Sequence, residues 1–120
     1  MMLLAFSRLY ASQPTYITFP SSIDWVARKS DHFTAVYRRG QDSFAAKSLI
    51  AAEKAHKLLT PMFPEAPQHT WMVLADFQDS TNGYSLNLPY PHIVIFAAPP
   101  SPSGTLATLD DWLDSVILHE

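Results

Sequence analysis

The chain has 120 residues, of which 48% are hydrophobic and 16% charged, so it is long enough to fold around one modest core and is not a low-complexity sequence. The formal net charge is −3 with eight basic residues, and the basic pairs Arg28-Lys29 and Arg38-Arg39 are too small to follow a phosphate backbone. We therefore expect no nucleic-acid partner. The chain has no cysteine, which excludes disulfides and Cys-ligated zinc, and no uncharged apolar stretch long enough to span a bilayer.

The sequence predicts an N-terminal extension over residues 1–22 and one folded domain over residues 23–120. The apolar run from Met1 to Phe6 is short and no basic residue precedes it, and Arg8 follows closely, so the match to a secretory signal is weak. The alternatives are a frayed extension and a misplaced start. The compartment stays open on these residues alone.

Four segments are predicted to be strands. Two short runs, Trp25–Arg28 and His32–Tyr37, are separated by polar residues and predict a hairpin. Residues 69–77 and 92–97 are rich in β-branched, aromatic and aliphatic side chains, which is typical of buried strands. Prolines flank the last of these strands, which favours a position at the edge of the sheet.

Two helices are predicted. Residues 41–62 carry apolar side chains at helical spacing, and Asp42 and Ser43 are placed to serve the first-turn N–H groups. A second amphipathic helix starts after a predicted N-cap at Thr108 and has its apolar positions at Leu109, Trp112, Leu113, Val116 and Ile117. The expected fold class is α/β (α+β), with a mixed sheet of about four strands, one long helix and the C-terminal helix packed on the sheet.

The second helix reaches His119 and Glu120 without a Gly, Asn or Pro to end it, so we expect it to be cut in mid-course. A His-Glu pair alone is weak evidence of a site. Histidine at the C-terminal end of a helix faces the negative end of the helix dipole, and glutamate there is normally solvated. On the dipeptide alone this structural interpretation is preferred.

A longer set of segments changes this preference, because together and in this order they resemble the peptidase MA-like gluzincins, several of which carry a TolB-like propeller after the peptidase domain. The resemblance extends over roughly residues 24–120. The segments that carry it are Ser30–Phe33, Ala52–His56, Trp71–Leu74, Asn82-Gly83, Leu88–Pro100, Asp110–Leu113 and Val116–Glu120.

The resemblance implies the N-terminal subdomain of a zincin-like fold, with a sheet packed over an HExxH helix. In that motif two histidines one turn apart bind Zn²⁺, and the glutamate acts as the general base on a zinc-activated water that hydrolyses a peptide bond. It implies His119 as the first zinc ligand and Glu120 as the general base. It also implies an edge strand that binds an extended peptide or protein substrate, with Phe96, Ala97 and Ala98 as the candidate residues.

The resemblance also implies what this chain lacks. The second zinc histidine would fall three residues beyond Glu120, and the third ligand, a glutamate, further on. We therefore expect zinc to bind the intact protein but not to bind this chain tightly, and we expect the chain by itself to be inactive. Export is suggested by the resemblance only.

Two other interpretations remain open. One is a non-catalytic α/β module that binds a protein partner by adding a strand to its sheet edge, and the other is an α/β domain in which the His-Glu match is accidental. Apolar surface left uncovered at the end of the chain predicts self-association.

The other residues with chemical potential are expected to be structural. Glu53 and His56 lie one turn apart and could form half of a metal site, but an exposed polar pair is the preferred interpretation. The remaining histidines, His32, His69 and His92, lack ligand spacing, and the three tryptophans, Trp25, Trp71 and Trp112, are expected in the core or at an interface.

Overall fold

The computed structural model describes residues 19–77, 83–96 and 109–120, which form one five-stranded mixed sheet and two helices. The predicted α+β fold class is therefore confirmed. In chain order the elements are β1 (Trp25–Lys29), β2 (Phe33–Arg38), α1 (Asp42–Leu59), β3 (Thr70–Ala75), β4 (Gly83–Leu86), β5 (His92–Phe96) and α2 (Leu109–His119).

The strand order across the sheet is β1-β2-β3-β5-β4. β1 and β2 are antiparallel, as the predicted hairpin requires, with Ala27 opposite Val36. β2, β3 and β5 are parallel neighbours, and β4 pairs antiparallel to β5. The two outer strands are thus antiparallel and the three inner ones parallel, so the sheet is mixed.

The edge position predicted for the strand at 92–97 is wrong. β5 lies between β3 and β4, because Val94 is opposite both Val73 of β3 and Tyr84 of β4. The preceding proline, Pro91, stands outside the strand and removes no N–H from either ladder. Flanking prolines therefore do not determine where this strand lies in the sheet.

β4 is the described edge strand on this side, and the sequence did not predict it. An Asn-Gly pair such as Asn82-Gly83 is typical of a turn, but Gly83 begins β4; Asn82 lies outside the described residues. The strand has only four residues, which is too short for alternation to stand out.

Both helices pack on one face of the sheet and form the main core with it. The sheet contributes large side chains such as Met72, Leu74 and Ile95, and α1 contributes small ones, with Ala45 and Ala52 fully buried. The α2 side chains in this core are Trp112, Leu113 and Ile117. Small residues on α1 allow the helix to lie close to the sheet.

The start of α1 differs from the prediction. Gln41 is the N-cap and makes no side-chain capping bond, while Asp42 accepts a 2.8 Å hydrogen bond from the Tyr37 hydroxyl. This bond raises the pKa of Tyr37, as does its burial. The N-cap predicted for α2, Thr108, lies outside the described residues. No helix in the described ranges is long and apolar enough to cross a membrane.

Candidate active site

His119 and Glu120 lie at the end of α2, the element that follows β5. The Glu120 amide donates a 3.1 Å hydrogen bond to the Val116 carbonyl, so the helical bonding pattern continues to the last residue. The His119 side chain is exposed, and Glu120 is half-buried. The packing of Leu113 and Ile117 into the core fixes the turn that carries both residues.

Glu120 lies directly against the edge strand. Its Cγ atom is 3.1 Å from the position that a Cβ would occupy on Gly83, the first residue of β4. The Cδ1 atom of Ile95 and the carbonyl oxygen of Val94 are at the same distance from that position. A Cβ at this position would be closer to all three atoms than ordinary van der Waals contact, so the glutamate or its neighbours would have to shift by a few tenths of an ångström.

A cleft of about 590 Å³ opens beside this contact, and both His119 and Glu120 line it. Its other walls come from the end of α1, the start of β5 and the exposed residues of β4, with Leu59, Ile93 and Leu86 as examples. The described lining is more apolar than polar, and its polar side chains include those of His56, His92, His119 and Glu120, a mixture found in many ligand-binding sites. The cleft therefore brings a histidine, a carboxylate and a free strand edge together.

The predicted substrate-binding residues do not form the edge beside this cleft. Phe96 is 7% exposed, pairs with Ala75, and packs with Val94 in a smaller cluster separate from the main core. Ala97 and Ala98 lie outside the described residues. The edge strand beside the cleft is β4, and its residues Ser85 and Leu86 line the cleft.

The described residues offer His119 as a single metal ligand. Within residues 19–77, 83–96 and 109–120, no three side chains of His, Cys, Asp or Glu form a group that could hold a metal ion. His56 and His92 also line the cleft, but among the described residues no three side chains of this kind, His119 and Glu120 included, are placed to share one metal ion. Any zinc site at His119 needs ligands from outside these ranges.

A second polar cluster ties α1 to the turn between β1 and β2. Glu53 accepts hydrogen bonds from the Ser30 hydroxyl at 2.5 Å, from the His32 amide at 2.8 Å and from His32 Nδ1 at 2.7 Å. Burial raises the pKa of Glu53, but these hydrogen bonds outweigh it and hold the pKa below its usual range. Because the Glu53 carboxylate can only accept in its hydrogen bond with His32, Nδ1 of His32 carries the proton.

His56 takes part in this cluster through ring stacking and not through Glu53. Its ring lies 3.9 Å from the His32 ring, at an interplanar angle of 18°. The preferred interpretation of Glu53 and His56 as an exposed pair is therefore wrong, since Glu53 is half-buried and bonded to residues more than twenty positions away. No local pattern in the sequence indicates a partner at that distance.

The other histidines also have structural contacts. His69 Nε2 and the Thr34 hydroxyl share a 2.8 Å hydrogen bond, and His92 Nδ1 donates a 2.8 Å bond to the Tyr90 carbonyl. Thr34 is almost fully buried, so His69 satisfies a hydroxyl that water does not reach.

Comparison with known proteins places this chain in no family. No family model, no curated protein and no solved structure matches it. The resemblance to the peptidase MA-like gluzincins accordingly stays a prediction.

Proposed function

We propose that this chain is the N-terminal part of a zinc-dependent metallopeptidase domain of the peptidase MA-like group, in which His119 is the first zinc ligand and Glu120 the general base. The observation that carries the proposal is the contact of Glu120 with Gly83. It places the carboxylate at the edge strand of the sheet, within a cleft that His119 also lines.

The geometry supports a peptide substrate because β4 pairs with β5 on one side and has no described strand on the other. An extended peptide could add to that edge through main-chain hydrogen bonds. Its carbonyl groups would then pass Glu120, which lies over Gly83 at the start of the strand.

Two residues of this chain, His119 and Glu120, would take part in the reaction. When bound, zinc would supply a Lewis acid for the scissile carbonyl and lower the pKa of a coordinated water. Glu120 would accept a proton from the attacking water at a carboxylate oxygen, and His119 would contribute one imidazole nitrogen to the metal. The remaining ligands would have to come from sequence beyond Glu120, so the 120-residue chain should bind zinc weakly.

The test is a longer chain that continues the natural reading frame past Glu120. We expect it to bind one zinc per chain by elemental analysis and to hydrolyse an internally quenched peptide. His119→Ala should remove the zinc. Glu120→Gln should retain zinc and lower kcat by about 10²- to 10⁴-fold, the usual contribution of a general base.

A matched control is His69→Gln, which changes a histidine outside the cleft and should leave zinc content and hydrolysis unchanged. Full hydrolysis by the Glu120→Gln chain, or a longer chain that holds no zinc, would show that the catalytic proposal is wrong.

A second candidate function follows from the same edge strand. A non-catalytic module could use β4 to bind a partner by strand addition without any metal. It predicts that extended peptides shift the backbone amide resonances of Ser85 and Leu86 in the 120-residue chain. It also predicts that the longer chain binds such peptides without zinc and does not cleave them.

A further inference from the structure

The face of the sheet opposite the helices is apolar but only partly covered. β2, β3 and β5 are parallel, and sheets of parallel strands are normally covered on both faces. Both described helices lie on one face. On the other face Val36 and Val73 are only half-buried, although they belong to interior strands. A further apolar segment or partner is needed to cover these side chains.

This face forms a groove of about 400 Å³, which we call the aromatic groove. Its floor consists of Val36, Val73 and Val94, and its walls include the aromatic side chains of Trp25, Trp71, Tyr84 and Tyr90. Trp71 is 39% exposed despite its position on the central strand. The described residues that line the groove include His92 but no Asp, Glu, Lys or Arg, so its occupant should be largely apolar as well.

Phe19, the first described residue, is already seated in the aromatic groove. Its ring packs edge-on against Trp25 and Phe77, with ring centroids 6.1 Å apart in both pairs. Trp25 and Phe77 are themselves 6.2 Å apart, which completes a three-ring cluster. Phe19 therefore provides, within the groove, the point from which the preceding residues continue.

We propose that residues 1–18 of this chain cover the aromatic groove by placing their apolar side chains against its valine floor and aromatic walls. Their composition fits, because they carry one charged residue, Arg8, and bulky apolar residues that include Leu3, Leu4 and Phe6. Their length is sufficient. Eighteen extended residues reach up to about 60 Å, whereas five strands span only about 24 Å.

The other segments outside the described residues are poorer candidates. Residues 78–82 are all polar. Residues 97–108 contain no aromatic side chain and a single bulky aliphatic one, Leu106, and they must connect β5 to a helix on the opposite face. Only residues 1–18 combine bulky apolar side chains with an attachment point inside the groove.

Tryptophan fluorescence of the full chain tests the proposal. We expect replacement of Leu3, Leu4 and Phe6 by serine to shift the emission to longer wavelength and to increase quenching by acrylamide, because Trp71 and Trp25 become more exposed. The buried Trp112 should not contribute to the change. Adding Trp71→Phe to both chains should reduce the difference between them.

The matched control places serine at Ile50 and Leu58, two exposed apolar residues on the outer side of α1 that do not line the groove. It should leave emission and quenching unchanged. A synthetic peptide of residues 1–18, added to a chain that starts at Phe19, should restore the shorter-wavelength emission in a saturable way.

Equal emission and quenching in the original and the serine-substituted chains would overturn the proposal. So would a full-length chain that is dimeric by light scattering and in which dilution to monomer exposes Trp71, since a second copy would then be the cover. If the chain that starts at Phe19 does not fold, the substituted full-length chain still gives a decisive result.

Discussion

The side chain of Glu120 lies against Gly83, with its Cγ atom 3.1 Å from the position a Cβ would take on the glycine. The two residues are 37 positions apart, and the contact joins the end of α2 to the edge strand β4. The candidate general base is thereby held at the strand edge on which the proposed peptide would bind.

Gly83→Ala should destabilise the fold by about 1–3 kcal/mol, because the added methyl group meets the Val94 carbonyl oxygen as well as two side chains. A backbone oxygen cannot move aside as a side chain can. Urea denaturation followed by circular dichroism measures the effect. Ser85→Ala, at an exposed position of the same strand, is the control and should change the free energy of unfolding little. Equal stability of the two variants would contradict the close contact.

Glu53→Gln should lower the free energy of unfolding at neutral pH by about 1–3 kcal/mol, since the carboxylate accepts three hydrogen bonds from Ser30 and His32. The pKa of Glu53 is lower in the folded chain than its ordinary value of 4.5. Its stabilisation is therefore fully present above that value and is lost as the pH falls through the lower, folded pKa.

The measurement is urea denaturation at several pH values between neutral and acidic. The difference between the original chain and Glu53→Gln should shrink once the pH falls below about the ordinary glutamate value. Glu65→Gln, which changes an exposed glutamate just after α1, should give no comparable difference at any pH. A difference that persists undiminished in acid would rule out the carboxylate as its source.

Leu113→Ala should destabilise the fold by about 2–5 kcal/mol, because Leu113 is 2% exposed and its loss leaves a cavity between α2 and the sheet. Leu118→Ala, on the same helix but 41% exposed, should cost much less. Thermal or chemical denaturation measures the loss of stability in each variant. Similar losses would mean that α2 is not docked through Leu113.

The 120-residue chain should self-associate through its free edge strand at high concentration. β4 has no described strand on its outer side and carries the exposed Leu86. Leu86→Lys should weaken the association, because charges at strand edges oppose edge-to-edge pairing. Light scattering over a concentration series measures it, with Leu58→Lys on α1 as the control. A monodisperse monomer at every concentration would count against the prediction.

Local patterns in the sequence were enough to predict most elements. The helical spacing of apolar residues located α1 and α2, and runs of β-branched and aromatic residues located β1, β2, β3 and β5. These signals are local because a helix that buries one face repeats its apolar side chains about every 3.6 residues, and a strand that buries one face repeats them every two residues. The placement of His119 and Glu120 on the last turn of a helix follows from the same periodicity.

Tertiary structure alone decided which strand forms the edge and which residues meet in the cleft. β4 is a strand only because Gly83 and the three residues after it pair with β5, and that pairing moves β5 into the interior. The bonds from Glu53 to Ser30 and His32 likewise depend on α1 crossing the sheet beside the β1–β2 turn. Such contacts join residues far apart in the chain, and their energies depend on the whole packed arrangement, so no period or motif within a short segment encodes them.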